Sequence, residues 1–147
     1  MLDQNLRENI NYFAALAQGV PFKDRGRDLS GWDCWGLIVN AYRDCFDLRL
    51  PDLQGVSALD AALVGAAFAE GCKDWREVEP GREQAGDVAL FHRGRWPCHA
   101  GLVIKQGQVL HVDAEIKETC IEFFNRGILR RRLAGIFRHE KLGQFAS

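Results

Sequence analysis

A chain of 147 residues with a formal net charge of −1 has no overall field to draw it to nucleic acid or to an anionic membrane. Its composition, 47% hydrophobic and 27% charged, is that of a globular protein. At this length folding buries about two thirds of the unfolded surface, so the core needs neither disulfide nor metal to hold it. Five cysteines at wide spacings, with no C-x-x-C pair, argue against a disulfide framework and for a reducing compartment with at least one free thiol.

The first segment, MLDQNLRENINYFAALAQGV, reads as an amphipathic helix with Leu6, Ile10, Phe13, Ala14 and Ala17 along one side. It lacks the basic start and unbroken apolar run of a signal peptide, and no stretch is long enough to span a bilayer. The expectation is a protein made in the cytoplasm that reaches any extracytoplasmic substrate by a route other than general secretion. GVPFKDRGRDLSG, rich in Gly, Asp and Arg, then reads as an irregular loop.

A second helix is expected from about Asp33 to Cys45. Its apolar stripe is Cys34, Leu37, Ile38, Ala41, Tyr42 and Cys45, with Ser30 or Asp33 as cap and Pro51 beyond its end. SALDAALVGAAFAEG predicts a third helix, Ser57 to Gly71. Past EPGREQAG the pattern changes to short strands at Asp87–Phe91, Ala100–Ile104, Gln108–Val112, Thr119–Phe124 and Leu133–Arg138. Helices first and a consecutive antiparallel sheet after them make an α+β fold, read as one domain over residues 1–147.

GWDCWGL places Cys34 in the first turn of the second helix. There the positive end of the helix dipole favours a thiolate, and backbone N–H groups without helical acceptors can steady an oxyanion. Core packing is the competing reading of this thiol. A nucleophilic cysteine also needs a histidine, and the histidine an orienting partner. His99 opens HAGLVI and His111 lies in VLHV. If Lys105, Gln106 and Gly107 form a three-residue turn with Gly107 left-handed, His111 falls opposite Gly101, and the two imidazoles share a face one diagonal step apart. A two-residue turn would separate them. His92 and His139 are expected on the surface or in loops.

GWDCWGLIVNAY, AGDVALF and HAGLVIKQGQVLHV, in that order over about Pro21 to Val112, resemble the signature blocks of the NlpC-type cell-wall cysteine peptidases, a papain-like family. The resemblance implies a papain-like α+β fold without cofactor or metal. Cys34 takes the nucleophile position, His99 the general base and His111 the residue that orients the base. Asp33, Gly36, Gly86, Asp87, Gly101 and Gly107 fall on recurrent family positions. Trp35 stands where the family usually has serine. Pro21-Phe22 stands where it often has proline-tyrosine, so Phe22 brings no hydroxyl to the oxyanion site. Asp33, Phe22 and Trp35 are the candidate substrate contacts, with helix capping the simpler role for Asp33 and core packing for the tryptophan.

The implied activity is hydrolysis of an amide bond in peptidoglycan stem peptides, beside γ-D-glutamate and a diamino acid. DCWGL and LAGIFRH are more similar to phage-tail versions of the family, which implies a phage or prophage tail component with tail-tip proteins as partners. An amidase or acyltransferase of the same superfamily, or a structural tail-tip protein with a vestigial site, are the alternatives. A zinc site from Cys34, Cys98, His99 and His111 is disfavoured, because adjacent Cys-His ligands chelate awkwardly and Cys98 is expected to point away from the face of His99. Arg130-Arg131-Arg132 is expected to be a solvated strand start rather than a nucleic-acid contact.

Overall fold

The computed structural model describes residues 4–143. Helix α1, Gln4–Ala17, buries Ile10, Phe13, Ala14 and Ala17, as its periodicity requires; the side chain of Leu6 lies outside the described residues. Part of the expected loop is ordered as a small ladder, β1 (Arg27–Asp28) against β2 (Gly31–Trp32). Helix α2, Cys34–Phe46, starts after the cap Asp33, which accepts the Gly36 N–H at 2.8 Å, and stops at Asp47 in the left-handed region (φ 53). It is buried on nearly every side rather than along one stripe, because it packs against α1, the β1–β2 ladder and the sheet.

Helix α3, Ala61–Gly71, begins four residues later than expected. Asp24 explains the delay: its carboxylate accepts the Ser57 hydroxyl and the Ala58 N–H, both at 2.6 Å, which holds that segment out of the helix. Asp60 then caps α3 by accepting the Leu63 N–H.

The strands are β3 (Arg76–Val78), β4 (Val88–Arg93), β5 (Trp96–Lys105), β6 (Gln108–His111), β7 (Cys120–Phe123) and β8 (Leu133–Arg138), antiparallel in the order β3-β8-β4-β5-β6-β7. From β4 to β7 the meander is consecutive. The closing strand β8 instead returns to lie between β3 and β4. A buried ion pair ties it to the start of β4, Arg138 donating to both oxygens of Asp87 at 2.8 and 2.9 Å. Arg130, Arg131 and Arg132 do not start the strand. They end the short helix α4, Gly127–Arg132, with all three exposed, and α5 (Glu140–Gly143) follows β8.

Period-two alternation puts Val88 and Leu90 in the core under α1 and α2, and Ala89 and Phe91 in a smaller cluster with Val103, Val109 and Ile136 on the other face. The β5–β6 turn reaches the required register by a different device from the one expected. Lys105 pairs with Gln108 across a two-residue turn in which Gly107 adopts φ +78, and Ile104 is then bulged out. The bulge shifts the ladder by one residue, giving Val103 opposite Val109 and Leu102 opposite Leu110. The register continues to Gly101 and His111, so His99 and His111 share a face.

Candidate functional site

Asp33 is almost wholly buried and its carboxylate is committed within the protein. Oδ1 accepts from the Gly36 N–H and from Arg27 Nη1 (2.9 Å), and Oδ2 from the Arg25 N–H (2.9 Å). These bonds fix the first turn of α2 and with it Cys34, which is 6% exposed. Cys34 stands between two hollows. One is a cleft of about 160 Å³ lined by Phe22, Arg93, Cys98, His99 and Asp113 as well as Cys34. The other is a narrow apolar crevice walled by Trp35, Leu53, Val56, Val64 and Phe68. Phe22 and Trp35 therefore flank the thiol on different sides. Trp35 is anchored by Nε1 donating to the Pro51 carbonyl at 2.7 Å.

Burial pushes the Cys34 thiol up to about 12, and the Asp33 carboxylate adds to the rise, against a hydrogen bond from the Ala100 N–H. Desolvation of the buried sulfur thus works against the thiolate that the helix terminus favours. His99 is held well below its ordinary 6.5 by burial and by the neighbouring His111. The resting site therefore pairs a neutral thiol with a neutral imidazole.

His99 Nε2 lies 2.9 Å from His111 Nδ1, and His111 Nε2 lies 2.5 Å from Glu122 Oε2. For an uncharged pair of rings the tautomers follow from one end. A carboxylate only accepts, so His111 carries its proton on Nε2 and presents a bare Nδ1. His99 must then donate from Nε2, which leaves its Nδ1 lone pair free to accept a proton. Gly101, opposite His111, makes room for this cluster: a Cβ there would meet the Val109 side chain at 2.3 Å.

The sequence reading missed Glu122, Arg93 and Asp113. Glu122 stands in an alternating run, TCIEFF, but its partner strand could not be assigned across the connection between His111 and Cys120. Arg93 pairs with Asp113, and Glu115 lies 3.4 Å from the same guanidinium. Burial opposes the charge on Asp113, yet N–H donation from Ile116 and Glu115 and the nearby Arg93 guanidinium hold its carboxyl below the usual range.

Two expectations about neighbouring residues are corrected. Cys98 is the extra residue of a bulge, since Phe91 pairs with His99 but His92 with Pro97, and it lines the cleft instead of pointing away from it. His92 lies half-buried within β4 rather than in a loop, whereas His139 does lie in the loop between β8 and α5, half-buried against Tyr42 and Trp75. Among the described residues, Cys34, Cys98, His99 and His111 do not form a cluster of metal-ligand dimensions.

A buried thiol, a neutral imidazole with its free nitrogen fixed by two further groups, and first-turn N–H groups beside an open cleft can together support acyl transfer. Residues 19–138 match the NlpC/P60 family model. A protein of Haemophilus influenzae described as a probable endopeptidase is 30% identical over 97 residues, 65% of this chain and 52% of its own length, so the chain spans about half of that curated relative. The fold is similar to an NlpC/P60 protein of Bacillus cereus (TM-score 0.69, 18% identity, 90% of this chain and 40% of that one). It is also similar to RipD of Mycobacterium tuberculosis, described as a non-catalytic NlpC/p60 domain protein adapted to peptidoglycan binding (TM-score 0.63, 19% identity, 94% of this chain and 99% of that one). With the match running over nearly all of the described residues, the chain belongs to the NlpC/P60 family.

Proposed function

We propose that this domain is a cysteine peptidase that hydrolyses an amide bond in peptidoglycan stem peptides. The observation that carries the reading is the relay behind the cleft, His99 Nε2 to His111 Nδ1 at 2.9 Å with Glu122 beyond it, facing the hollow that Cys34 also lines. As the substrate carbonyl approaches Cys34, the thiol proton passes to Nδ1 of His99 and the sulfur attacks the carbonyl carbon. The Cys34 and Trp35 N–H groups, which have no acceptor within their own helix, hold the oxyanion. The imidazolium that forms gives its proton to the departing amine, leaving a thioester on Cys34. Water, deprotonated by His99, then attacks the thioester, and the released sulfur recovers its proton. A neutral resting pair fits this scheme, because proton transfer then accompanies attack rather than preceding it.

Cleavage beside γ-D-glutamate and a diamino acid is supported by the family resemblance. Association with a phage or prophage tail is supported by DCWGL and LAGIFRH, and the cytoplasmic origin goes with that assignment. A second reading, a peptidoglycan-binding domain with a silent site, is favoured by the burial of Cys34, which is only 6% exposed. Incubation of purified peptidoglycan with wild type and with Cys34→Ala, followed by mass identification of the soluble peptides, separates the two. The proposal expects γ-glutamyl cleavage products from wild type alone. Equal release from both proteins, or none from wild type, contradicts it.

A further inference from the structure

Beyond the His99–His111 contact, His111, Cys120 and Glu122 bring one imidazole nitrogen, one sulfur and one carboxylate oxygen within 4.8 Å of one another. The strands make this tripod. His111 and Cys120 are direct cross-strand partners on β6 and β7, and Glu122, two residues along β7, falls on the same face as Cys120. Strand β7 is the outermost strand of the sheet, the Glu122 side chain is half exposed, and Cys120 is partly so, which leaves a path from solvent. Asp113 and Glu118 add negative field around the sulfur.

We propose that these three side chains form a site for a divalent cation of the zinc class, and that filling it switches His99 off; the switch rests on the hydrolase reading, the site does not. Thiolate, imidazole and carboxylate are the donor types that zinc takes, and three protein ligands leave a fourth, tetrahedral position for water. The remaining nitrogen of His111 is already hydrogen-bonded to His99, the outer contact that metal-binding histidines usually have.

Binding has a definite consequence for the relay. The cation takes Nε2 of His111, so the ring's proton must sit on Nδ1 and point at His99. Nε2 of His99 becomes an acceptor, its proton moves to Nδ1, and the lone pair that receives the Cys34 proton disappears. Neither imidazole gains or loses a proton overall, and Cys120 releases one to solvent as it becomes a thiolate. One small shift of protons thus couples an outer metal site to the nucleophile.

Titration of the full chain with Co2+ as a spectroscopic probe, followed by displacement with Zn2+, tests the site without reference to activity. Wild type and Cys34→Ala should bind one equivalent with a thiolate-to-cobalt charge-transfer band, and Cys120→Ala should lack the band. Two-bond 1H–15N spectra of the imidazoles should show the His99 proton move from Nε2 to Nδ1 on addition of Zn2+. In turnover of peptidoglycan, Zn2+ should inhibit wild type at concentrations at least tenfold lower than those needed for Cys120→Ala, each compared with its own metal-free rate. A band that survives Cys120→Ala but is lost in Cys34→Ala places the metal at the cleft and overturns the site. The absence of saturable binding does the same, and binding that leaves the His99 tautomer unchanged overturns the switch. Lack of turnover in the metal-free protein would instead count against the hydrolase reading and leave the cobalt and imidazole results to stand.

Discussion

Burial leaves Cys34 and His99 uncharged at rest, and this sets how the site responds to pH. The thiolate is the species that reacts with iodoacetamide, and with the thiol pushed up to about 12 its fraction grows about tenfold per pH unit through neutrality. Alkylation of Cys34, followed by peptide mass, should therefore rise steadily from pH 6 to about pH 9 without levelling. A plateau in that range would mean a preformed thiolate–imidazolium pair. His99 must be neutral to accept a proton and is held below 6.5, so kcat/KM should persist as pH falls through 6.5 and fail only at lower pH. In the proposed mechanism Glu122 acts through His111. Replacing it by Leu removes the acceptor for the Nε2 proton and should lower kcat by up to about 100-fold with KM little changed, whereas Glu122→Gln keeps an acceptor oxygen and should restore most of the rate. Equal effects from the two substitutions would assign Glu122 a packing role. At this scale Cys34, His99 and His111 could be found in the sequence because each sits in a short spaced block. Glu122 could not, since its role depends on a strand pairing across an irregular connection, and the state of the thiol could not, since it depends on burial.

Secondary elements were legible where the pattern is local. The periodicities of α1, α2 and the meander strands appear in the sequence to within a few residues, while the late start of α3 depends on Asp24, more than thirty residues away. The β5–β6 turn illustrates the limit: the face shared by His99 and His111 was inferable, but the bulge at Ile104 that produces it was not. The position of β8 was hidden for a similar reason, because the Asp87–Arg138 pair that ties it to the start of β4 joins residues 51 apart. That pair gives a prediction at this scale. Burial raises the Asp87 carboxyl and Arg138 opposes the rise, so Arg138→Met leaves a buried carboxylate without its partner. The loss should be about 3–5 kcal/mol in urea unfolding at neutral pH. It should shrink as the pH falls, because the folded variant can then take up a proton on Asp87. A loss independent of pH would point to packing alone.

For the molecule as a whole, similarity of fold at 18–19% identity extends both to an NlpC/P60 protein of Bacillus cereus and to RipD, described as non-catalytic, so the architecture alone does not decide whether this site turns over. What decides it is whether Cys34 and His99, 65 residues apart, operate as one unit. Among the described residues, no helix is long and apolar enough to cross a membrane. The direct measurement is kcat/KM on a defined stem peptide for wild type, Cys34→Ala, His99→Ala and the double variant. Residues that act together lose their effect together, so each single substitution should cost roughly 10⁴-fold or more and the double no more than either. Losses that multiply in the double variant, or a Cys34→Ala protein that still turns over at the wild-type rate, would contradict the account.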